Sequence, residues 1–155
     1  MSKVFEDLFS ELQADMVSIC LDNVEKRADI IYIYCSCEES VIVSCYFYNI
    51  NGKVVSRGKL NDAIGPNDTQ YDVSIARQKA VTKELNENIK RISELCTENN
   101  KPMPTEMKLI YDVEKGSLKT EYKYKNVYSK SKTKGAYDIV DEWFEEVKKA
   151  TEKTT

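Results

Sequence analysis

Residues 104–147 read PTEMKLIYDVEKGSLKTEYKYKNVYSKSKTKGAYDIVDEWFEEV, and the fold class turns on how that run divides. From Thr105 to Val113, Met107, Leu109, Tyr111 and Val113 alternate with Lys108, Ile110 and Asp112, the period of two of a strand. Glu114-Lys115-Gly116 closes a hairpin, and Ser117 to Val127 repeats the period. Leu118, Thr120, Tyr122 and Tyr124 fall on one face of that second strand, and Lys119, Glu121, Lys123 and Lys125 on the other. Lys130, Lys132 and Lys134 stud the loop from Tyr128 to Gly135, a composition that stays hydrated. Beyond it the period changes to 3.6. Ile139, Val140, Trp143, Phe144 and Val147 share one face of a helix from about Tyr137 to Thr151, opposite Asp138, Asp141, Glu142 and Glu145. The rest of the chain is expected to cover this unit, with Leu109, Tyr111, Leu118, Tyr122, Trp143 and Phe144 building the core.

Upstream, Asn99-Asn100, Pro102 and Pro104 end a long helix from about Asp72 to Glu98, whose apolar face carries Val81, Leu85, Ile89, Ile92, Leu95 and Cys96. A Gly65-Pro66 loop, residues 61–70, leads into it. Asn51-Gly52 signals a two-residue type I′ hairpin, because both residues tolerate positive φ. It joins VIVSCYFYNI, residues 41–50, to a polar edge strand from Lys53 to Leu60. Lys53, Arg57 and Lys59 discourage open pairing on that edge, which is also one place for a second copy to pair. Glu38-Glu39-Ser40 turns the chain out of Ile30 to Cys37, IIYIYCSC, a strand expected to be buried on both faces. Phe5, Leu8, Phe9, Leu12, Met16, Ile19 and Cys20 mark a first helix from Ser2, its cap, to about Asn23, with Glu6, Asp7, Glu11 and Asp15 outside. The sum is a single α+β domain: an antiparallel sheet of about five strands in two hairpins, packed with an N-terminal, a long central and a C-terminal helix.

The 155 residues carry 23 Lys and Arg against 26 Asp and Glu, a net charge of −3, which disfavours nucleic acid as a direct partner. Histidine is absent, removing Ser-His-Asp and Cys-His catalysis and histidine metal sites. No phosphate-cradling glycine loop occurs. Cys35 and Cys37 stand parallel on a strand and do not converge like a zinc knuckle. With Cys20, Cys45 and Cys96 they read as reduced core thiols. The N-terminal residues lack the pattern of a signal peptide and no window suits a membrane span, so a cytoplasmic location is expected. No active site, metal or cofactor is expected. Tyrosines concentrate on the strands, most of them as core filling, with Tyr46, Tyr48 and Tyr128 expected to face a partner.

The segment PTEMKLIYDVEKGSLKTEYKYKNVY followed by a helix containing DEWFEEV resembles the YezG-like immunity protein family, cytoplasmic antitoxins paired with secreted bacterial toxins. Many relatives carry a Pro and a Trp just after the first helix, where this chain has LDNVEKR, Leu21 to Arg27. The resemblance implies a non-enzymatic inhibitor that binds a cognate toxin C-terminal domain, often a nuclease and therefore basic. Acidic and aromatic residues around Glu38, Glu39, Asp138, Asp141 and Glu142 are expected to contribute to such binding. An adaptor or chaperone-like module for a secreted effector is the alternative.

Overall fold

The computed structural model describes residues 4–128 and 134–153, so Ser2, Lys130 and Lys132 lie outside the described residues. Three helices, α1 (Phe5–Asn23), α2 (Ile75–Glu98) and α3 (Ala136–Lys153), pack with five strands. These are β1 (Ile30–Glu38), β2 (Val41–Ile50), β3 (Lys53–Ser56), β4 (Glu106–Asp112) and β5 (Ser117–Lys123). The sheet is antiparallel throughout, in the order β3-β2-β1-β4-β5.

The centre of the sheet is β1, and the β4-β5 hairpin lies to one side of it. Ile33 pairs with Tyr46 on one side and with Leu109 on the other. β1 and β2 meet through a two-residue turn in which Glu39 and Ser40 have φ of 52° and 66°, a left-handed geometry that neither residue type favours. Asn51 and Gly52 make the β2-β3 turn with φ of 53° and 81°, as their identities foretell.

Side chains alternate across this sheet and both faces are covered. Ile31, Ile33 and Cys35 of β1 with Tyr46, Tyr48 and Ile50 of β2 face α1 and α2, meeting Met16, Cys20, Leu85, Ile89 and Ile92. Tyr32, Tyr34, Cys45 and Phe47 face the other way and meet Val140 and Trp143 of α3. Trp143 sits edge-on to Phe47, centroids 5.0 Å apart, and to Tyr32 at 5.8 Å, while Tyr32 stacks on Phe47 at 4.6 Å. The domain is therefore three layers, α1 and α2, sheet, α3.

Several boundaries differ from the sequence reading for local reasons. α2 starts at Ile75 because the Ser74 hydroxyl accepts the Arg77 N–H (3.2 Å) as its cap. β3 stops at Ser56, and Leu60 turns into the core on a short 3₁₀ helix, Leu60–Ala63. β5 stops at Lys123, where the Thr105 hydroxyl lies 3.1 Å from the Lys123 carbonyl and 2.6 Å from the Lys125 carbonyl. Leu118 and Tyr122 were expected in the core. Because β5 ends the sheet, they are 37% and 39% exposed at its edge.

Candidate partner-binding surfaces

The eight residues expected to bind a partner do not form one surface. Tyr46 and Tyr48, expected to face outward, are buried beneath α1 and α2. They belong to the even-numbered face of β2, and a strand covered on both sides has no wet face on which to place a hydroxyl. Tyr48 solves this with protein partners: its hydroxyl donates to the Cys20 carbonyl (2.8 Å) and accepts from Asn23 Nδ2 (3.1 Å). Asn23 Oδ1 in turn accepts from Arg77 Nε at 2.9 Å, tying α1, β2 and α2 together. The Tyr46 ring meets Tyr48 edge-on at 5.8 Å. Burial pushes both phenols up, so they stay protonated.

Glu38, also expected at the surface, is 2% exposed. It is the last residue of β1 and no part of the turn, and its carboxylate accepts the backbone N–H of Val127 (3.0 Å) and of Tyr128 (3.4 Å). Tyr128 is half-buried, its hydroxyl 2.7 Å from Ser36 Oγ. Next door, Lys123 Nζ lies 3.3 Å from Glu106 Oε2, and burial with Glu106 beside it raises the Tyr34 phenol. The structure brings Glu38 and Tyr128 together as a latch that holds the chain leaving β5 against the end of β1. Glu39 alone of this pair of acids is solvent-exposed.

On α3, Asp138 accepts the Gly135 N–H (2.7 Å) and closes the start of the helix, and Glu142 is paired with Lys134 at 2.6 Å. Asp141 and Glu145 line a cleft of about 590 Å³ with Tyr137, Phe144 and Arg57. This cleft shares Arg57, Gln78 and Tyr137 with a second, of about 650 Å³, flanked by Lys79, Lys83 and Lys90 of α2. The groove is acidic on its α3 wall and basic on its α2 wall. A uniformly basic partner is therefore opposed along half its length.

A more uniform surface lies on the other side of α2. Glu11 and Asp15 of α1 and Glu94 and Glu98 of α2 line one cleft of about 250 Å³, together with Leu8, Leu12, Leu95 and Arg91. The acidic face of α1 was legible from spacing. That Glu94 and Glu98, one helical turn apart, complete it follows only once α1 and α2 are known to be neighbours. Four carboxylates against one guanidinium in a single cleft concentrate negative potential on that side of the molecule.

All five cysteines are free thiols, four buried and Cys37 half-buried, and burial raises the pKa of each. Among the described residues no group of three or more Cys, Asp or Glu is placed to hold a metal ion, and no helix is long and apolar enough to cross a membrane. No family model matches the chain, and none of the curated proteins matches it in sequence.

Proposed function

We propose that this chain is a stoichiometric, non-catalytic immunity protein that neutralises a basic toxin domain by occluding its charged face. The observation that carries this reading is the α1-α2 cleft, where Glu11, Asp15, Glu94 and Glu98 converge. A nuclease domain presents lysines and arginines arranged for phosphates, and carboxylates on a rigid scaffold compete for the same positions with fast, electrostatically steered association. The resemblance of residues 104–147 to the YezG-like family supplies the class of partner. The earlier expectation for Asp138 and Glu142 is narrowed, since one caps its helix and the other is paired with Lys134.

The test is co-expression with the product of the gene immediately upstream, followed by calorimetry. Rescue of growth with one-to-one binding is expected, whereas a change confined to export of the toxin would favour the adaptor reading. Reversing Glu94 and Glu98 to Lys is expected to weaken binding by about tenfold or more and to flatten its salt dependence. Unchanged affinity at low salt would remove the cleft from the interface.

A further inference from the structure

We infer that β5 is a self-complementary edge through which two copies of this chain join their sheets. The backbone groups of its free side are directed to receive a strand. The hydrogen bond from Cys37 N to the Thr105 carbonyl (3.0 Å) sets the phase of the β1-β4 ladder, in which the odd-numbered residues of β4 bond to β1. The even-numbered residues of β4, Glu106 to Asp112, therefore bond to the odd-numbered residues of β5, their partners in register. That leaves the N–H and C=O groups of Leu118, Thr120 and Tyr122 directed away from the sheet. β5 has no strand on that side among the described residues.

The side chains around this open row are those of an interface. Leu118, Tyr122 and Tyr124 are three of the large hydrophobic residues that the domain leaves exposed. Tyr122 is held in place by Gln13 Nε2, 2.8 Å from its hydroxyl, and by the edge-on Phe9 ring at 6.0 Å. A cleft of about 330 Å³, in which Phe5, Phe9, Pro102 and Pro104 stand beside Glu6 and Lys101, continues the surface next to Tyr124. By contrast β3, the other end of the sheet, is four residues long and has Val54 and Val55 already buried.

The occupant is fixed by self-complementarity. An antiparallel pairing of Ser117–Lys123 with its own copy, centred on Thr120, uses the whole strand. It sets Leu118 opposite the Tyr122 of the second copy, Thr120 opposite Thr120, and Lys119 opposite Glu121 twice over. The outward-facing even residues become the hydrogen-bonded pairs, and the charges fall in the closer, non-hydrogen-bonded pairs, where opposite signs stabilise. Shifting the centre by one residue, to Lys119 or to Glu121, puts like charges face to face. The charged row that ordinarily protects an edge thus becomes an attractive contact in this register. A two-fold axis through Thr120 closes the pair and extends the sheet to ten strands across two copies of the five-stranded sheet.

Sedimentation equilibrium of the full chain tests this directly, with a dimer expected at micromolar to tens of micromolar concentration. Thr120→Pro deletes an N–H that the β4-β5 ladder does not use, so it is expected to give a monomer with the far-UV spectrum retained. Glu121→Lys is expected to weaken the dimer by about tenfold or more, and Glu121→Lys combined with Lys119→Glu to restore it. A monomer at all concentrations overturns the inference. So does a dimer indifferent to Thr120→Pro, or one that the charge swap fails to rescue. None of these outcomes depends on a toxin, so they stand or fall apart from the proposed function.

Discussion

Glu38 sets its carboxyl group in a site with 2% exposure, where its oxygens accept the backbone N–H groups of Val127 and Tyr128. Truncation to Ala frees both donors and is expected to cost about 2–3 kcal/mol, read as a lowered urea midpoint at unchanged slope. Tyr48→Phe removes one hydroxyl but strands Asn23 Nδ2 and the Cys20 carbonyl, with an expected loss of about 1–3 kcal/mol. The buried thiols and phenols give a pH signature whose sign is fixed. Cys20, Cys35, Tyr34, Tyr46 and Tyr48 are all raised by burial, so above the ordinary values of 9.0 and 10.0 the unfolded chain has released protons that the folded one retains. Stability is therefore whole below about pH 8 and falls as pH climbs past 9, measured as urea midpoints from pH 7 to 10.5. At this scale the sequence was least legible. In a strand sandwiched between two helical layers both alternating sets are buried, so Tyr46 and Tyr48 of β2, expected to face a partner, are tyrosine-rich core.

At the scale of elements the reading was far better, because periodicity is a local property. α3 was recognisable from Ile139, Val140, Trp143, Phe144 and Val147, and all five pack into the α3-side core. Trp143 closes that core, so Trp143→Ala is expected to cost about 3–5 kcal/mol and to detach α3 before the sheet melts. Comparing far-UV dichroism with aromatic near-UV signals would separate the two events. Gly52, at φ 81° with open space where a Cβ would stand, isolates backbone strain from packing. Gly52→Ala is expected to lower stability by about 1 kcal/mol with no change in the folded spectrum, seen as a small drop in melting temperature. The ends of β3 and β5 were misjudged because the residues that stop them, Leu60 turning inward and Thr105 capturing carbonyls, act across loops.

For the whole molecule, composition announced a domain able to stand without disulfides, yet strand order was not to be read. Pairing of β1 with β4 joins segments from opposite sides of a helix, and no local pattern records it. The acidic cleft was half visible for the same reason, Glu11 and Asp15 on one helix awaiting Glu94 and Glu98 from another. That same long-range pairing has a consequence during synthesis. β1 and β2 can pair as soon as they leave the ribosome, but the other edge of β1 waits roughly seventy residues for β4. At roughly 5–20 residues per second this leaves Ile31, Ile33 and Cys35 on an open, apolar ribbon for several seconds. A nascent chain of this design is most vulnerable to its neighbours on the same polysome during that interval, and translation slowed between β2 and β4 lengthens it.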